Sequence, residues 1–116
     1  MATGVKTLVY PVKDVARARA LYTRLLGVAP YVDEPYYVGF RIGDQEVGLD
    51  PNGHTQGLTG GVPYLEVDDL DGLLAKLVED GATVQQAAMD VGGGRRIARV
   101  ADLDGNVVGL LQDGVA

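Results

Sequence analysis

The chain repeats one arrangement of strand, helix and further strands, and this repeat constrains the fold more than any other feature of the sequence. A shift of 55 residues superimposes the helix starts at Asp14 and Asp69, and a shift of 61 superimposes the Val-Gly-Leu triplets at 47–49 and 108–110. A unit of about 55 residues is below the size that readily stabilises a domain alone. The two units are therefore expected to share a buried surface with each other or with a second chain.

Each unit is predicted to run strand, helix, strand, strand, strand. Apolar residues recur at spacings of three and four after Asp14 and again after Asp69, which predicts two amphipathic helices that begin at these residues. Short β-branched and apolar runs bounded by Gly, Pro and Asp predict the strands. The predicted strands are Val5–Val12, 31–32, Tyr36–Ile42, Glu46–Asp50, Val62–Val67, Ala82–Ala88, Arg95–Val100 and Asn106–Gln112. The predicted helices are Val15–Leu26 and Leu70–Val78, and the turns of the second unit are Val91–Gly94 and Asp102–Gly105.

The length of 116 residues indicates a single domain, 1–116, rather than an assembly of several. Within it we expect modules 1–53 and 61–116, joined by a Gly-rich and polar connector at 54–60.

Composition excludes several classes of function. With 16 acidic against 10 basic residues the net charge is −6, so a nucleic-acid partner is not expected. The chain has no cysteine and one histidine, His54, which removes disulfides, thiolate metal sites and cysteine nucleophiles. No apolar run is long enough for a membrane span, and the first residues do not resemble a signal peptide. We therefore expect a cytoplasmic protein with no membrane partner.

The two modules and the closing motif Asp102–Asn106, which reads Asp-Leu-Asp-Gly-Asn before an apolar strand, resemble the vicinal oxygen chelate superfamily. This superfamily includes glyoxalase I, the bleomycin-resistance proteins and the extradiol dioxygenases. The resemblance implies an α+β fold in which two βαβββ modules form a curved mixed sheet around a cleft, with the helices outside.

The resemblance also indicates where a divalent metal ion would bind, because the family's metalloenzymes take ligands from the first and last strand of each module. Those positions here are Thr7, Gly48, Val62 and Gly109. Of the four side chains only the neutral hydroxyl of Thr7 is a donor, and a hard cation prefers several oxygen or imidazole ligands. We therefore expect no metal and no other cofactor. We also expect the two glycines to leave room for the bulk of a ligand.

Alternation along the strands extends these four positions to a predicted ligand-binding face. The residues expected to face the cleft and bind ligand are Thr7, Val9, Glu46, Gly48, Val62, Tyr64, Glu66, Val107, Gly109 and Leu111. The residues of opposite parity are apolar and are expected beneath the helices: Leu8, Tyr10, Val47, Leu49, Leu65 and Leu110.

Each polar candidate also has an ordinary structural interpretation. Glu46 follows a turn, where a solvated strand end is the commoner case, and Tyr64 could belong to the core. Glu66 lies inside an apolar strand, where a carboxylate needs a partner or water. His54 is expected to be an exposed loop residue. Asp102 and Asp104 are expected to hold their turn by accepting hydrogen bonds from the backbone.

Three functions remain open. The first is a metal-independent binding protein of the glyoxalase and bleomycin-resistance type, in which the acidic balance favours a cationic small organic ligand. The second is a lyase or isomerase of the glyoxalase type with Glu66 or Glu46 as general base. The third and weakest is a shifted metal site built from Glu46, Asp50, Glu66 and His54. No catalytic residue is assigned, and a homodimer is expected because pairing would bury the module edges.

Overall fold

The computed structural model describes residues 2–114, which form two α-helices, eight strands and one 3-10 turn. No helix in this range combines the length and apolar character needed to cross a bilayer. The elements are β1 (Ala2–Pro11), α1 (Val15–Leu26), β2 (Val32–Glu34), β3 (Tyr37–Ile42), β4 (Gln45–Asp50), the 3-10 turn (His54–Gln56), β5 (Val62–Val67), α2 (Leu70–Glu79), β6 (Thr83–Gly92), β7 (Arg95–Ala101) and β8 (Val107–Gln112).

The predicted α+β class and the two βαβββ modules are confirmed. The largest difference concerns β6, which continues to Gly92, whereas the sequence placed Val91 in the turn. The turn is this tight because Gly92, Gly93 and Gly94 all adopt positive φ, at 91°, 64° and 76°, a region open to glycine without strain. β1 also begins at Ala2, three residues before its predicted start.

Contacts divide the chain into two units, which we call the N-terminal unit (Lys6–Val62) and the C-terminal unit (Pro63 onward, together with the chain before Lys6). In the N-terminal unit the strand order is β2-β3-β4-β1, with β1 parallel to β4 and the other pairs antiparallel. Its core lies between this sheet and α1 and consists of Val38, Phe40, Val47 and Leu49, packed against Tyr10, Val12, Val15, Ala18, Tyr22, Leu26 and Val28.

The C-terminal unit has the same plan. Its strand order is β5-β8-β7-β6, with β5 parallel to β8 and the other pairs antiparallel. Its core consists of Val67, Leu70, Ala98 and Leu110, packed against Leu73, Leu74, Leu77 and Ala88.

Two equivalent helix caps help to explain why the sequence repeat gives a structural repeat, and a third local structure forms the closing turn. The Asp14 carboxylate accepts from the Arg17 N–H, and the Asp69 carboxylate accepts from the Gly72 N–H, each at 3.1 Å, so both helices begin at the same kind of cap. In the closing turn, Asp102 accepts from two backbone N–H groups, at 2.8 and 2.9 Å. The structural interpretation is therefore confirmed for Asp102, whereas Asp104 takes part in the turn through its backbone N–H.

Candidate functional site

The predicted site residues of the N-terminal unit lie on the sheet face opposite α1. Val47 and Leu49 pack in the core beside α1, so the alternating residues Glu46 and Gly48 face the other way. Across the parallel pair, Thr7 is in register with Glu46, and Val9 is in register with Gly48. The sheet brings these four predicted residues together.

Two tyrosines and an arginine surround the Glu46 carboxylate. The Tyr37 hydroxyl donates to Glu46 Oε2 at 2.9 Å. The guanidinium carbon of Arg41 stands 4.3 Å from the ring centroid of Tyr31, which is a cation–π distance. Burial raises the pKa of Tyr31, and hydrogen bonding to the Glu46 carboxylate and its negative charge raise the pKa further, while Arg41 opposes the shift. Glu46 is half-buried and hydrogen-bonded, so it is more than a solvated strand end.

The space above Gly48 is filled by the end of the Tyr37 side chain. A Cβ built on Gly48 would lie less than 3.0 Å from the Tyr37 hydroxyl and two of its ring atoms, closer than real Cβ contacts. The expectation that this glycine leaves open room is therefore wrong, because the neighbouring strand supplies a ring that occupies the room.

Thr7 is the one predicted metal position with a side-chain donor. Its side chain is only 4% exposed, and Oγ1 is buried without a hydrogen-bond partner among the described residues. Buried hydroxyls nearly always have a partner, so Oγ1 of Thr7 is a polar atom that a water molecule or a ligand could satisfy.

In the C-terminal unit a second tyrosine covers a second glycine. Tyr64 on β5 is in register with Gly109 on β8, and a Cβ on Gly109 would overlap the Tyr64 ring. The Arg99 Nη1 donates to the Tyr64 hydroxyl at 3.0 Å, and Arg99 Nε donates to Gln85 Oε1 at 2.6 Å. Tyr64 and Arg99 are each only 6% exposed. The expectation of open room is wrong at Gly109 as well.

The remaining predicted residues of the C-terminal half have ordinary strand positions. Glu66 is half-buried, has an interaction partner and is in register with Leu111. Val107 pairs with Ala101 at the start of β8, and Val62 is buried at the start of β5.

The described residues do not fit the family's divalent metal ion. Of its four carried-over positions, Gly48 and Gly109 are covered by tyrosine rings, Val62 has no donor atom and Thr7 offers one neutral hydroxyl. A divalent ion needs several donors around one point.

The shifted metal site from Glu46, Asp50, Glu66 and His54 is not formed either. No group of three or more His, Cys, Asp or Glu side chains within residues 2–114 is placed to hold an ion. His54 lies exposed in the 3-10 turn, as expected of a loop residue.

Sequence reasoning missed four residues of these polar faces: Tyr31, Tyr37, Arg41 and Arg99. The parity argument was applied only to the first and last strands of each module, whereas three of these residues lie on β3 and β7. Extending the same alternation to those strands would have placed Tyr37 and Arg99 on the polar faces, because Val38 and Ala98 are their apolar neighbours.

The chain matches one family of known proteins over most of its length. Residues 4–110 match the model of the Glyoxalase/Bleomycin resistance protein/Dioxygenase superfamily. No curated protein matches the chain. A superfamily member from Vibrio splendidus 12B01 has a similar fold, with a TM-score of 0.73, 16% identity and coverage of 98% of this chain and 100% of that one.

Two enzymes share the fold at low identity. Methylmalonyl-CoA epimerase from Mycobacterium tuberculosis matches with a TM-score of 0.70, 17% identity and coverage of 97% of this chain and 89% of that one. The Mn(II)-bound glyoxalase from Novosphingobium aromaticivorans matches with a TM-score of 0.73, 21% identity and coverage of 98% of this chain and 40% of that one. These similarities establish the fold and leave the chemistry to the residues of the site.

Proposed function

Because the chain belongs to the Glyoxalase/Bleomycin resistance protein/Dioxygenase superfamily, we propose that it is a metal-independent protein that binds a small organic ligand. The ligand is placed on the sheet faces opposite the helices. The observation that carries this proposal is the covering of Gly48 and Gly109 by the rings of Tyr37 and Tyr64. Where family metalloenzymes place ligands for an ion, this chain places phenol groups, which suit an organic molecule.

A cationic ligand is favoured at the N-terminal unit. The Glu46 carboxylate is held by the Tyr37 hydroxyl and supplies a fixed negative charge. The guanidinium of Arg41 stacks on the ring of Tyr31, so a ligand cation that uses this face has to displace Arg41. The net charge of −6 adds a weak attraction for cations over the whole surface.

A thermal-shift screen of small organic cations, including cationic antibiotics, tests the proposal. A ligand that binds the native state raises the melting temperature in a concentration-dependent way. We expect Glu46→Gln to weaken binding of the best cation about fivefold to twentyfold, because it removes the only charge of this cluster that attracts a cation. Glu79→Gln, on the exposed end of α2, is the matched control and should bind as the wild type does. Failure of every cation and every neutral organic compound to stabilise the protein would refute the proposal.

Enzymatic activity is the second candidate, with Glu66 or Glu46 as general base of a glyoxalase-type lyase or isomerase reaction. Its support is the position of Glu66, a half-buried carboxylate within β5 on the same face as Tyr64. Turnover in a glyoxalase or isomerase assay that Glu66→Gln or Glu46→Gln abolishes and Glu79→Gln retains would establish this candidate over simple binding.

A cytoplasmic location stays a prediction.

We further propose that the protein forms a homodimer. The dimer is supported by β6, which ends the strand order of the C-terminal unit and exposes Val84, Met89 and Val91 at 42, 43 and 47%. Light scattering after size exclusion should give twice the monomer mass, and Met89→Lys should lower it if β6 is the contact. A monomer at every concentration would contradict the dimer.

A further inference from the structure

We propose that the hydroxyl of Tyr64, held by Arg99, donates a hydrogen bond to a carbonyl or carboxylate oxygen of the ligand. This inference rests on the proposed binding function and names the chemical group that the C-terminal unit recognises.

The direction of the hydrogen bond between Tyr64 and Arg99 is fixed by chemistry. A guanidinium has only donors, so in the 3.0 Å contact Arg99 Nη1 donates and the Tyr64 oxygen accepts. The phenol proton of Tyr64 is thereby left to donate elsewhere. Within residues 2–114 no group accepts it, since the bond from Arg99 is the only hydrogen bond that the Tyr64 hydroxyl makes there.

Burial makes this free proton significant. Tyr64 is 6% exposed, and a buried donor without an acceptor costs free energy that native proteins usually avoid. The guanidinium also draws electron density from the phenol oxygen, which makes its proton a stronger donor. The acceptor that fits is an oxygen with lone pairs and no proton of its own, as in a carbonyl or a carboxylate.

Tyr37, the corresponding tyrosine of the N-terminal unit, has the opposite role in its hydrogen bond. Its hydroxyl donates to Glu46 Oε2, because a carboxylate can only accept, so the phenol proton of Tyr37 is already used within the protein. Of the two similarly placed tyrosines, Tyr64 is therefore the one whose proton is left for an oxygen acceptor of the ligand. The position of Arg99 on β7 corresponds to that of Gly39 on β3, because Arg99 pairs with Gly109 and Gly39 pairs with Gly48. The N-terminal unit therefore has no guanidinium at this position.

Pyruvate is a suitable probe because it carries a carbonyl and a carboxylate and little else. We expect titration of ¹³C-tyrosine-labelled protein with pyruvate to shift the Tyr64 ring signals and to saturate at millimolar concentrations. Tyr64→Phe removes only the hydroxyl and should weaken pyruvate binding about fivefold to tenfold. Tyr22→Phe, on α1, is the matched control and should bind pyruvate as the wild type does. Isopropylammonium, similar in size but without an oxygen, should leave Tyr64 unshifted.

Three results would overturn the inference: no shift of Tyr64 at about 100 mM pyruvate, equal affinity in Tyr64→Phe, or an equal response to isopropylammonium. If Tyr64→Phe does not fold, nuclear Overhauser contacts between the pyruvate methyl group and the Tyr64 ring in the wild type decide the matter, and their absence refutes the inference. A cation that binds while pyruvate does not would overturn this inference alone and leave the proposed function standing.

Discussion

The ring of Tyr64 lies across Gly109 and occupies the space that a side chain at this position would need. Tyr37 stands in the same relation to Gly48, but the two contacts differ in kind. At Gly48 the nearest atoms are the far end of a half-buried tyrosine, whereas at Gly109 they run along one edge of the ring of a buried one, starting from Cγ. Tyr64 therefore has less freedom to move away from Gly109 than Tyr37 has to move away from Gly48, and alanine substitutions at the two glycines should differ in their cost.

Alanine at the two covered glycines should destabilise the protein unequally. We expect Gly109→Ala to lower the free energy of unfolding by about 2 to 3 kcal/mol, because the buried ring of Tyr64 has to move. Gly48→Ala should cost about 1 kcal/mol, since Tyr37 can swing outward and lose its bond to Glu46. Gly60→Ala is the matched control: Gly60 has no neighbour within 4 Å of a Cβ, and its change should stay within about 0.5 kcal/mol. Urea unfolding measures all three.

A double-mutant cycle separates ring overlap from other effects. In a Tyr64→Ala background the overlap is gone, so Gly109→Ala should become nearly neutral. An equal cost of Gly109→Ala with and without the ring would show that Tyr64 does not close this position.

The fold could be predicted because its signals are local. The caps at Asp14 and Asp69 and the glycine turns each act within a few residues, so both helices and the order of all strands followed from the sequence. Glu46 and Gly48 were likewise placed on one face by alternation alone.

What fills that face could not be predicted, because it depends on cross-strand contacts. Tyr37 reaches Gly48 and Glu46 from β3, and Arg99 reaches Tyr64 from β7. A glycine in the sequence indicates a missing side chain but does not indicate whether a neighbour takes its place. The inference from Gly48 and Gly109 to open room failed for this reason.

The ionisation of Tyr31 should report on the Glu46 cluster. Glu46→Gln should lower the pKa of Tyr31 toward its ordinary value of 10.0 without reaching it, because burial is the largest cause of the shift and remains. Arg41→Gln should raise the pKa further. A pH titration of the ¹³Cζ signals measures both, with Tyr22 as the reference tyrosine that neither substitution should affect.

The sign of the pH dependence follows from the raised pKa of Tyr31. The folded protein keeps this proton to higher pH than the unfolded chain, so the contribution of Tyr31 is fully present below pH 10.0 and is lost as the pH rises above that value. A pKa of Tyr31 unchanged in both variants would contradict the described cluster.

The closing turn should show the opposite pH dependence. Hydrogen bonds from the Asn106 side chain and backbone lower the pKa of Asp102 below its ordinary 3.8, so its stabilising effect is present above that pH and is lost as the pH falls through the lowered pKa. Asp102→Ala should lower the melting temperature at neutral pH, and the deficit should shrink in strong acid. Asp104→Ala, in the same turn, is the control and should have little effect. Equal deficits in the two variants would refute the role of Asp102.

The metal content of the protein tests the central claim most directly. Protein purified without chelators, then incubated with Mn²⁺, Zn²⁺ and Ni²⁺ and passed through gel filtration, should contain no stoichiometric divalent ion by plasma mass spectrometry. The covered glycines and the single hydroxyl of Thr7 provide too few ligands to retain one. A divalent ion held tightly at one per chain would contradict the account.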